Sequence, residues 1–153
     1  MSDAIRAFVD QATQFCEFID TPNSLSLPEK LQHLSALLAK LYVAAIHLPD
    51  VEPTERDVDA VIQRPQVSFG DIDGYWEVFD PYEADKPIMA SLTDDITDIY
   101  ADLKKGLSMY QSGTEDDIID AVWQWKTDFE THWGFHLVNA FRAMHWAVHR
   151  MSD

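Results

Sequence analysis

The chain has 153 residues, 46% hydrophobic and 12% aromatic, with 27 acidic against 11 basic side chains and a formal net charge of −16. This composition excludes a disordered chain and suits one helical domain, residues 1–153, around a single core. With no basic cluster to hold phosphates, direct nucleic-acid binding and attachment to an anionic membrane are not expected.

No apolar run reaches the roughly 20 residues that cross a bilayer. The start, MSDAIRAFVD, lacks a basic leader segment, and Cys16 is the only cysteine. Together these point to the cytoplasm. Cys16 lies in an apolar helical pattern and reads as a buried, inert thiol. The charge either serves solubility or suits a basic protein partner, or mimicry of a nucleic acid's charge.

The first predicted helix covers residues 3–19, where Ile5, Phe8, Val9, Ala12, Phe15, Cys16 and Ile19 recur at steps of three and four. Thr21-Pro22-Asn23-Ser24 ends it. Ser26, Pro28 and Glu29 supply a cap, a proline and an acid in the first turn of a second helix. That helix runs to about Pro49 and is apolar around most of its circumference, which places it at the centre of the fold. Five prolines and two glycines then punctuate residues 49–90, predicting a long, mostly irregular connection. A short helix around Asp57–Gln63 and a helical turn around Tyr75–Phe79 are expected within it. Its aromatics (Phe69, Tyr75, Trp76, Phe79, Tyr82) are expected to pack over the core, with Asp80 initiating a turn before Pro81.

Helical spacing returns from Ser91, with Leu92, Ile96, Ile99, Leu103, Leu107 and Tyr110 in one stripe that ends at Gly113. A proline-free pattern follows from Thr114 to about Arg150. As one helix it would span about 55 Å, too long for this domain, so a break is expected near Gly134. No strand-period segment stands out. The fold class is therefore all-α, an up-down bundle of four or five main helices with an elaborated, aromatic-rich connection.

Two aspartate clusters, DDITD at 94–98 and DDIID at 116–120, raise the question of a metal site. Ser91 and Thr114 each lie three residues before an aspartate, so both clusters also read as acidic first turns behind a cap. The resemblance to the aspartate clusters of prenyl-transferring enzymes stops there. This chain is about half the length such a fold needs, and no basic residue follows DDIID closely. Asp98 and Asp102 lie beyond the first turn. With Asp95, and Asp94 nearby, they form a stripe on the side away from Leu92, Ile96, Ile99 and Leu103, suited to Mg²⁺ or Mn²⁺. His132 and His136 are four apart on a helix, a spacing that brings two imidazoles toward one metal or one neighbouring helix. His145 and His149 repeat it but point to the polar side. The candidate metal set is Asp94, Asp95, Asp98, His132 and His136, and catalytic residues are not identified. Asp71-Ile72-Asp73-Gly74 lacks the remaining ligands of a calcium loop, and Glu77 is a secondary candidate.

The blocks YWEVFDPYE (75–83), SLTDDITDIYADLKKGL (91–107) and HWGFHLVNAFRAMH (132–145) resemble an uncharacterised bacterial family, the domain of unknown function numbered 5063. The likeness runs through about residues 65–150, with the N-terminal helices matching only in pattern. It implies a small, soluble, all-helical bacterial protein and no assigned activity. It draws attention to Asp94, Asp95, Asp98, His132 and His136, which fall inside the blocks, and away from Asp116-Asp117, which do not. The leading expectation is a non-catalytic cytoplasmic interaction or accessory protein. The alternative is a metal-dependent helical enzyme acting on a phosphorylated small molecule.

Overall fold

Among the described residues there are five helices, and four of them begin at a capping serine or threonine. The computed structural model describes residues 2–54, 56 and 60–150. Helix α1 (Asp3–Asp20) starts at Ser2, whose hydroxyl accepts from the Ile5 N–H. Helix α2 (Leu27–Ala45) starts at Ser26, whose backbone N–H donates to Glu29 at 2.9 Å. Ser91 and Thr114 cap α3 (Leu92–Ser112) and α4 (Glu115–Thr131) by accepting from the N–H groups of Asp94 and Asp117, each at 3.2 Å. These donors would otherwise have no partner in the first turn. Helix α5 (Trp133–Arg150) follows after a single residue.

The buried side chains of all five helices form one cluster, with Phe8, Phe15, Trp125 and Trp133 as its largest members. Helix α3, not α2, is central, because it packs against α1, α4 and α5. The expectation for α2 fails for a simple reason. Leu31, Leu34, Leu38 and Leu41 supply one buried face, while Tyr42, Val43 and Ile46 face solvent. Helix α4 returns along α3, and Gly106 makes their close approach possible: a Cβ there would lie 2.1 Å from Trp125 Nε1. That indole donates to the Leu103 carbonyl at 3.2 Å.

The break between α4 and α5 falls at His132 (φ −143°, ψ −87°), two residues before the expected position. Gly134 is nevertheless required by it, since a Cβ there would approach the Phe129 carbonyl oxygen to 2.1 Å. The chain turns so tightly that only a glycine clears the end of α4.

The connection is strapped across the helices by polar anchors. Lys126 donates to the Leu48 carbonyl and pairs with Asp50, Thr54 and Arg56 bind Asp120, and Lys30 reaches the Ser68 carbonyl. Of the short helix expected at Asp57–Gln63, residues 57–59 lie outside the described residues, and 60–63 are not helical. The helical turn expected at Tyr75–Phe79 is instead strand β1 (Gly74–Glu77). It pairs antiparallel with β2 (Ile88–Ser91) in the register Tyr75 to Ala90 and Trp76 to Met89. β1 places Tyr75 and Glu77 on one face and Trp76 on the other. Asp73 fastens this hairpin to α3, accepting from the Ser91 hydroxyl and from the N–H and hydroxyl of Thr93. Those bonds outweigh the effect of burial and hold the Asp73 carboxyl below the usual range. The turn at Asp80 is present, with the Tyr82 N–H donating to its side chain at 2.9 Å.

Candidate functional site

Three- and four-residue steps along α3 put Asp95, Asp98 and Asp102 on one stripe. That stripe is covered by the start of α5. The carboxylate of Asp95 is 5% exposed and lies 2.8 Å from His136 Nδ1. Two turns along α3, Asp102 Oδ2 lies 2.6 Å from His132 Nδ1. An ionised carboxylate only accepts hydrogen bonds, so each imidazole carries its proton on Nδ1. This leaves the Nε2 atoms facing outward from those bonds, and His136 Nε2 is 3.4 Å from Asp98 Oδ2. The two rings stand edge to face with centroids 4.9 Å apart. Among the described residues, Asp98, His132 and His136 each offer a donor atom within 4.8 Å of the others.

Further residues hold this cluster. The Tyr75 hydroxyl, on the inner face of the hairpin, donates to Asp95 Oδ2 at 2.5 Å and lies 3.4 Å from Glu77 Oε2. Burial, reinforced by these two carboxylates, keeps the phenol protonated far above its ordinary range. Burial and the nearby Asp95 charge raise the Glu77 carboxyl. Burial also raises Asp102, although His132 works against it. The hydrogen bond to Asp95 raises His136 despite its burial. From the connection, Arg64 pairs with Asp98 Oδ1 and donates to the Thr97 hydroxyl at 3.3 Å.

The structure thus brings together four of the five candidate residues: Asp95, Asp98, His132 and His136. Asp94 is exposed and bound at its N–H by Ser91, turned away from the others. The acidic stripe opposite the apolar one is not a solvent face, because α5 covers it. His145 and His149 are exposed on the polar side, as their spacing predicts. Asp116 is exposed as well, and Asp117 serves the α4 cap. Sequence reasoning did not find Tyr75 or Arg64, which arrive from the connection. The spacing of Tyr75 and Glu77, two apart on one strand face, was the available signal.

The outer face of the hairpin contrasts with the inner one. Trp76 on that outer face and Phe79 and Tyr82 in the loop beyond β1 are 61%, 82% and 96% exposed, and Met89, paired with Trp76, is exposed beside it. The expectation that these aromatics pack over the core holds for Phe69 and in part for Tyr75, and fails for the other three. They stand among Asp80, Glu83 and Asp85 with one base, Lys86, so the hairpin tip is apolar and acidic on balance.

Among the described residues, fold and site together define five helices and a short hairpin that closes over a cluster of aspartates and histidines. The profile of the family described as Domain of unknown function (DUF5063) matches residues 1–150. The chain belongs to this family, whose function is unassigned, and the match takes in the N-terminal helices as well as the blocks between 75 and 145. No curated protein matches it. A crystal structure of protein BF1032 from Bacteroides fragilis is similar, with a TM-score of 0.77 and 23% identity over 95% of this chain and 92% of that one. At that identity the likeness is one of fold. No helix among the described residues is long and apolar enough to cross a membrane.

Proposed function

We propose that the protein is a non-catalytic interaction module that docks a basic protein partner on the outer face of its hairpin. The observation that carries this reading is the group Trp76, Phe79 and Tyr82, left in water on a hairpin that Tyr75 and Asp73 anchor from beneath. Large aromatics held on a firm base are the side chains that dominate protein interfaces. The surrounding carboxylates favour lysines and arginines at the partner's rim, which would speed encounter and make binding salt-sensitive. A cytoplasmic setting suits the single thiol, Cys16, which burial pushes up to about 12 and so leaves unreactive.

The enzyme alternative has less support. A phosphorylated substrate at the cluster would meet Asp95, Asp98, Asp102 and Glu77, and the nearby cation, Arg64, is already paired with Asp98. Without a bound cation, like charges at that range oppose binding.

The test is crosslinking in native lysate with wild type, Trp76→Ala/Phe79→Ala, and Trp146→Ala as a control on the exposed side of α5. We expect a basic protein recovered at a 1:1 ratio, released by high salt, lost with the hairpin variant and kept with the control. Recovery that the hairpin substitutions leave unchanged would contradict the reading. So would a wild-type homodimer that they convert to monomer.

A further inference from the structure

We propose that Asp98, His132 and His136 form a binding site for one divalent transition metal of the zinc type, with Asp95 and Asp102 as positioning residues for the two imidazoles. The contacts described above set Nδ1 of each ring against a carboxylate, so that Nε2 is the atom each neutral ring would offer a metal. A carboxylate behind a ligating histidine is the arrangement that sets the tautomer and strengthens the ligand in metal sites generally. Here it occurs twice, and the Tyr75 hydroxyl in turn fixes Asp95. The 3.4 Å between His136 Nε2 and Asp98 Oδ2 is close to the roughly 3.3 Å that separates two ligands on a tetrahedral zinc ion. The three donor atoms lie within 4.8 Å of one another. Closing the remaining gap requires side-chain rotation, and His132, 47% exposed, has room for it.

The donor set decides the class of metal. Two imidazoles with one carboxylate suit Zn²⁺ or Co²⁺, whereas Mg²⁺ takes oxygen ligands and keeps its waters. This moves the expectation away from the Mg²⁺ that the aspartates alone suggest. Arg64 need not leave, because it holds Asp98 through Oδ1, while Oδ2 faces the imidazole. The exposed side of His132 gives an entry path and a place for a fourth ligand.

Equilibrium dialysis against Zn²⁺, with metal analysis of the retained protein, and visible spectra of the Co²⁺-loaded protein test the proposal. Wild type should retain one Zn²⁺ per chain in the presence of millimolar Mg²⁺ and show Co²⁺ ligand-field bands. His132→Gln, at a half-exposed position, should weaken Zn²⁺ binding at least tenfold and alter the bands while leaving the far-UV circular dichroism unchanged, and Asp94→Asn should change neither binding nor bands. Asp102→Asn should weaken binding about 10–100-fold. Absence of retained Zn²⁺, displacement by Mg²⁺, or binding that His132→Gln leaves unchanged would overturn it.

Discussion

The carboxylate of Asp120 accepts from the N–H and hydroxyl of Thr54 at 2.6 and 2.5 Å and from Arg56 at 3.0 Å. Burial opposes its charge, but these bonds outweigh it and hold its carboxyl below the ordinary range. A depressed carboxyl contributes stability that is present above the unfolded value of about 3.9. That contribution is lost as the pH falls through the lower folded value. Asp120→Asn should therefore cost about 1–2 kcal/mol at pH 7, with the gap from wild type closing below about pH 4. Urea unfolding from pH 3 to 7 measures it, and a gap that does not depend on pH would count against the ion-pair account. Asp120 also separates the two aspartate clusters. In each, one aspartate lies behind the cap (Asp94, Asp117), and the last one binds an arginine from the connection (Asp98 with Arg64, Asp120 with Arg56). Asp98 differs in having a histidine on its other oxygen.

At the scale of elements, the hairpin is the least self-sufficient piece. Two four-residue strands do not hold together alone in water; this pair is fastened by Asp73 and by the Tyr75 bond to Asp95. Tyr75→Phe should loosen it, raising amide exchange in β1 and β2 roughly tenfold, since a hydrogen bond to a charged group contributes about 1.5–3 kcal/mol. Exchange confined to unchanged rates would show that the hairpin is held otherwise. The hairpin was also the element least legible in the sequence. The helices announce themselves through Ser26 with Glu29, Ser91, Thr114 and steps of three and four, all local signals. Strand β1 is too short for its alternation to register, and its partner lies across a loop containing Pro81 and Pro87. The same distinction governs the site. The spacings of Asp95, Asp98, His132 and His136 were visible, while Tyr75 and Arg64 depend on contacts between distant segments. The outward turn of Asp94 follows from its helical phase relative to α5, which no single helix reveals.

At the scale of the whole molecule, α3 is the hub. It meets α1 through Asp20 with Tyr100 and Lys104, α4 through Trp125, the hairpin through Asp95, the α4–α5 break through His132, and α5 through His136. The cluster therefore exists only when residues 75, 95, 98, 102, 132 and 136 have been assembled by the complete fold. In a chain with an excess of acid, such assembly is stabilised where carboxylates meet imidazole or arginine rather than one another. The histidine tautomers report this assembly directly, because an imidazole in water favours the proton on Nε2, and the carboxylates here demand it on Nδ1. Long-range nitrogen–proton correlation spectra of the native protein, assigned with His132→Gln and His136→Gln, make the measurement. In their neutral rings, His132 and His136 are both expected to carry the proton on Nδ1 with Nε2 unprotonated, and His145 and His149 are not. Nε2-protonated tautomers at His132 and His136 would contradict it.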